Sequence, residues 1–146
     1  MNPSLLELAG RLHPLLIHFP IAFLLLTAAL EAWRLKFDKP AIVSTIRLSA
    51  ILGALGVVAA AASGWIFGAE HHRSDTALLL DQHRWVGIAT AVLAVGAMLA
   101  VLRWSGATDS LRVWLRRSVV WFTAILLIVA AHLGAMVVWG DDFFSY

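Results

Sequence analysis

Charged residues divide the chain into four long apolar stretches. No Asp, Glu, Lys or Arg occurs from 12 to 30, 48 to 69, 85 to 102 or 118 to 140, windows of 19, 22, 18 and 23 residues. A helix needs about 20 residues to cross the hydrocarbon core of a bilayer. The runs are continuously apolar and rich in Leu and Ala instead of alternating, which predicts helices and not barrel strands. The pattern therefore predicts an all-α, polytopic membrane protein. A single four-helix domain fills residues 1–146, with helices over about 12–37, 42–68, 76–103 and 113–139. Linkers this short predict an up-down-up-down bundle of antiparallel neighbours.

Composition agrees: 61% of the residues are apolar and 14% charged, against about half and a quarter in soluble chains. With no cysteine, disulfides, thiolate metal sites and iron–sulfur clusters are excluded. A formal charge of +2 gives no footprint for nucleic acid. Its distribution is more informative. Arg34, Lys36, Lys39, Arg47, Arg103, Arg112, Arg116 and Arg117 flank one end of the four runs, and only Arg11, Arg73 and Arg84 flank the other. The positive-inside rule then puts both termini outside, at the periplasmic face of a bacterial inner membrane. Glu7 and Arg11, with no basic cluster before the first run, predict that it is kept as a helix and not cleaved as a signal peptide.

Local signals refine the spans. Pro14 suits a first helical turn, whereas Pro20 lies inside the run and predicts a bend or restart that turns His18 towards the bundle. Gly53, Gly56, Ala60, Ser63 and Gly64 form a small-residue face suited to close helix packing, the alternative being room for a flat cofactor. Ser74 or Asp75 is a candidate cap for the third helix. Tryptophans near the helix ends fit interfacial belts. No repeat of motif grade is visible.

The six histidines (His13, His18, His71, His72, His83 and His132) all fall in the outer half. His71 and His72 read as solvated loop residues. An ionisable side chain within a span by default marks a site, the bland alternative being a hydrogen bond between helices. His18 and His132 share a depth of roughly 10–13 Å below the outer charges at 1.5 Å per residue, and His13 and His83 form a shallower pair. Imidazole without thiolate suits haem iron, copper or zinc, and four-helix bundles commonly hold core cofactors. Bis-histidine haem b needs two imidazoles at one depth, for which His18 and His132 are favoured. Gly64, Gly87 and Gly134 offer ring space, and Arg11, Arg73 and Arg84 stand where propionates find cations. A compact copper or zinc site would instead draw His13, His18, His83 and His132 onto one ion. Glu31 is expected to pair with Arg34 or Arg47. No phosphate loop, nucleophile elbow or HExxH motif occurs.

The segments LHPLLIHFPIAFLLL, SGW, HRWVG and AHLGAMVVWGDD resemble a bacterial family of small four-helix predicted membrane proteins of unknown function, marked by an HPxxxHFP motif. The likeness covers nearly the whole chain and carries the family's histidines onto His13, His18, His83 and His132. Ala135 stands where many relatives have a second glycine after HLG. Relatives occur fused to, or encoded beside, Rieske-type or c-type cytochrome domains, which implies membrane electron transfer.

The resulting expectation is a b-type cytochrome-like inner-membrane subunit, closer to an electron carrier than to a stand-alone enzyme. Its cofactor-binding residues are His18, His132, His83, His13, Arg84, Arg11 and Gly87. Candidate partners are the lipid bilayer, a periplasmic c-type cytochrome or Rieske protein, quinone, and further copies or subunits of a larger complex. The alternatives are a copper- or zinc-binding membrane protein using the same four histidines, and a structural subunit without a cofactor.

Overall fold

A computed structural model describes residues 4, 8, 10–37, 39–70 and 77–140. His71, His72, Arg73 and the expected cap at Ser74 or Asp75 lie outside the described residues. A short helix α1 (His13–Leu16) leads into α2 (His18–Trp33), followed by α3 (Pro40–Glu70), α4 (Ala77–Trp104) and α5 (Ser110–Trp139). Four spans are long and apolar enough to cross a membrane: His13–Trp33, Pro40–Gly68, Ala77–Trp104 and Ser110–Trp139. Their outward faces carry large apolar side chains such as Leu55, Val92, Ile125 and Val138, as a lipid-facing surface requires.

The break between α1 and α2 follows from proline chemistry. Pro14 sits in the first turn of α1, and Ile17 forms the joint. Pro20, fully buried in the first turn of α2, has no N–H to donate to Leu16, so the ladder is interrupted there. Its ring rests on α3 at Gly56, where an added Cβ would stand 3.1 Å from Pro20 Cδ. At the far end, α2 stops at Trp33, before the Phe37 expected from apolarity, and residues 34–36 form a turn. Helix α5 starts at Ser110, three residues earlier than hydrophobicity suggested, because the Asp109 side chain caps it by accepting from Arg112 N.

End-to-end contacts fix the arrangement. The start of α1 meets the end of α3, the start of α4 meets the end of α5, and the end of α2 meets the start of α5. Sequential helices are therefore antiparallel, and α2 packs on α5 to close the ring. The core is built from small residues, among them Ala50, Ala54, Ala94, Ala97 and Ala124. These let the backbones approach closely where apolar lipid provides no hydrophobic drive.

The two hairpins repeat. Buried positions in the first half recur 70 residues later: Pro20/Thr90, Leu24/Ala94, Thr27/Ala97 and Glu31/Val101 on α2 and α4, and Ile46/Arg116, Ala50/Val120, Ala54/Ala124, Val57/Leu127 and Ala60/Ala130 on α3 and α5. Diagonal helices are thus equivalent, as in parallel repeats related by an axis along the bundle. This corrects the expectation of no repeat. Of these nine pairs only the two alanine pairs are identical, so what recurs is burial, and side-chain identity barely shows it.

At the end where α2 stops and α5 starts, Glu31 is fully buried and takes a bidentate contact from Arg116, Nε at 2.8 Å and Nη2 at 3.0 Å. Arg34 and Arg117 approach it at 3.9 and 3.5 Å. The expected alternative Arg47 instead faces outward, next to buried Ile46. Across the axis the equivalent positions, Val101 and Ile46, share one apolar cluster. One side of the bundle is closed by an ion pair and the other by hydrocarbon.

Candidate functional site

The end of the bundle where α1 starts and α5 ends opens into a cavity of about 570 Å³ bordered by all four spans. This volume falls within the range of about 300–1,000 Å³ typical of small-molecule and cofactor sites. Two histidines face each other in it. His13 enters from α1 and His83 from the second turn of α4, with ring centroids 6.4 Å apart and planes at 70°.

Each imidazole is oriented by the same device. His13 Nδ1 donates to the Ala60 carbonyl at 3.0 Å, with Ser63 Oγ at 3.2 Å, and His83 Nδ1 donates to the Ala130 carbonyl at 2.9 Å. Both bonds span 47 residues. A proton held on Nδ1 by a carbonyl leaves Nε2 as the lone-pair nitrogen, the orientation usual for metal-ligating histidines. One turn beyond each carbonyl lies a glycine. A Cβ on Gly64 would stand 2.6 Å from His13 Cε1, and one on Gly134 would stand 2.9 Å from His83 Cε1. The unit of histidine, carbonyl and glycine thus occurs twice about the pseudo-twofold axis. Phe67 stacks on His13 at 6.4 Å.

Of the other expected site residues, His18 is exposed and borders the same cavity, as do Arg84 and Gly87. No side chain approaches within 4 Å of the place a Gly87 Cβ would occupy. His132 and Arg11 are exposed and do not border the cavity. The pair held face to face is therefore His13 with His83, while His18 borders their cavity from an exposed position and His132 does not border it. Depth along a helix does not reveal azimuth, and His132 lies on the outer face of α5 two residues past Ala130. Among the described residues no three His, Asp or Glu side chains come close enough to hold one metal ion.

Arg84 forms one rim. Its guanidinium lies 5.0 Å over the Trp65 ring, and Nη2 donates to the Trp65 carbonyl at 3.4 Å. Its Nε is buried without a hydrogen-bond partner among the described residues. The absence of a side chain at Gly68 admits this arginine, since a Cβ there would lie 2.8 Å from Nη2. The equivalent of Arg84 in the first half is Pro14, so the cation lies on one side of the axis only. Phe67 and Gly68 carried no signal in the sequence as parts of a site, and Ser63 and Trp65 entered only through the small-residue face, the interfacial belts and the SGW segment of the resemblance. The 51-residue interval shared by His13–Gly64 and His83–Gly134 couples each histidine to its glycine but does not reach Phe67 or Gly68, whose equivalents are Val137 and Val138.

A family model described as a predicted membrane protein, DUF2231, matches residues 10–143. The chain belongs to the DUF2231 family. No curated protein and no solved structure matches it. The match spans both hairpins, and the paired histidine units of this DUF2231 protein lie wholly within it.

Proposed function

We propose that this DUF2231 protein is a b-type cytochrome-like membrane subunit that holds one haem b between His13 and His83 near the periplasmic face and passes electrons there. The imidazole pair carries the reading. The rings face each other 6.4 Å apart, so His13 and His83 would be the residues that hold the iron, and the haem would supply one-electron redox chemistry there. Both Nδ1 atoms are already committed to carbonyls, and the cavity is mostly apolar, with Gly64, Gly87 and Gly134 leaving room beside the rings, which supports a flat macrocycle over a bare ion. Arg84 supplies the cation that a propionate is paired with. Family neighbourhood supports a periplasmic c-type cytochrome or Rieske protein as redox partner, with quinone as the candidate on the membrane side.

The spacing also fits a two-coordinate copper(I) ion, which needs no third ligand, and this is the second reading. Zinc is disfavoured because its sites use three or four protein ligands. Protein extracted in detergent from haem-replete cells, analysed by absorption spectrum and for total metal, separates the readings. A Soret band with a pyridine haemochrome is expected. One copper per chain without a Soret band would replace haem with copper. A colourless, metal-free protein that stays colourless with added haemin would end both.

A further inference from the structure

A second feature lies at the opposite end of the bundle, apart from the histidine cavity. A groove of about 440 Å³ runs between α4 and α5, with Gly96, Leu99 and Ala100 on one side and Leu115 and Val119 on the other. It ends at Arg103 and Trp104. From Gly96 to Arg103 is about 10 Å along the helix. Leu99 and Leu115 are exposed, so the groove is open to the lipid side.

The charges around its mouth are unevenly matched. Arg116, Arg34 and Arg117 share Glu31, and Arg112 pairs with Asp109 at 3.6 Å. The Arg103 guanidinium has no hydrogen bond or ion pair among the described residues. Arg116 Nη1 donates to the Trp104 carbonyl at 2.6 Å, which ties the end of α4, and Arg103 with it, to α5.

The internal repeat supplies a control. On the equivalent α2–α3 face, Leu26 stands at the Gly96 position and Trp33 at the Arg103 position. The bundle therefore does not require an open glycine or an outward cation here, and the two occur together on the α4–α5 face. No neighbouring atom lies within 4 Å of where a Gly96 Cβ would be.

We infer that this groove binds an anionic phospholipid, with an acyl chain along Gly96, Ala100 and Val119 and its phosphate on Arg103. A basic site between membrane helices at the headgroup level is suited to such lipids. Each surface cation contributes about 1 kcal/mol, or about fivefold in occupancy. The test uses the full chain in nanodiscs with spin-labelled phosphatidylglycerol or phosphatidylcholine, counting immobilised lipid per chain. Wild type should prefer phosphatidylglycerol about fivefold. Arg103→Gln should erase that preference while keeping acyl-chain immobilisation, and Gly96→Leu should lower immobilisation of both lipids. Equal retention of the two lipids by wild type would overturn the inference. So would an unchanged preference in Arg103→Gln with unchanged immobilisation in Gly96→Leu. Displacement of the phosphatidylglycerol signal by millimolar inorganic phosphate would show that the ligand is a free anion and would also overturn it.

Discussion

The pair of Glu31 and Arg116 invites a test that the repeat itself designs. Replacing Glu31 by Val, the residue at its equivalent position 101, removes the one carboxylate that, among the described residues, pairs with Arg116, whose side chain is 1% exposed. Breaking a buried ion pair by deleting one partner costs about 3–5 kcal/mol, because the remaining charge is left uncompensated. The double variant Glu31→Val/Arg116→Ile copies the apolar Ile46–Val101 side. Replacing a whole buried pair by hydrocarbon is neutral or stabilising by about 1–4 kcal/mol. Against this stands the lost bond from Arg116 Nη1 to the Trp104 carbonyl, worth about 1.5–3 kcal/mol as a charged hydrogen bond. Arg34 and Arg117, released from Glu31, can extend toward the headgroups. The double variant should thus lie within about 1–2 kcal/mol of wild type, with a coupling of about 2 kcal/mol or more relative to the sum of the singles. Reversible unfolding in mixed micelles, followed by far-UV circular dichroism across the double-mutant cycle, measures this. Additive single and double effects would refute the reasoning.

Other outcomes follow from the packing. Gly64→Ala and Gly134→Ala place a methyl 2.6 and 2.9 Å from the His13 and His83 rings, so each should displace its imidazole and abolish cofactor retention, read by absorbance. Gly87→Ala meets no atom within 4 Å and should raise thermal stability by up to about 1 kcal/mol through helix propensity. Gly53→Ala would press on Leu24 Cδ2 at 2.7 Å and should cost about 1–3 kcal/mol of overpacking, measured by the same unfolding assay. Thr27→Val removes the buried 2.8 Å bond to Ser49 between α2 and α3 and should cost about 0.6 kcal/mol, at most about 1.7, as interhelical bonds in membranes do.

Four spans were legible because crossing hydrocarbon demands about 20 uncharged residues, and that demand is written directly in the spacing of charges. The restart near Pro20 was equally visible, since a missing N–H acts locally. The azimuth of each histidine was not. In a helix apolar on every face, the side toward lipid and the side toward neighbours carry the same residue types, so the outward His132 could not be told from His13 and His83 by hydropathy. Glu31 found Arg116, 85 residues away, a pairing set by helix closure and invisible to local spacing. The repeat was hidden for a related reason. A buried position between helices accepts Pro or Thr, Leu or Ala, Ile or the Arg of an ion pair, so burial recurs at 70 residues while identity drifts.

The haem-to-chain ratio of the purified protein, compared across His13→Ala, His83→Ala, His18→Ala and His132→Ala, tests the central proposal most directly. One haem per chain is expected in wild type and in the His18 and His132 variants, and none in the His13 and His83 variants, with all five chains folded. Haem retained by His13→Ala and His83→Ala but lost from His18→Ala or His132→Ala would contradict it.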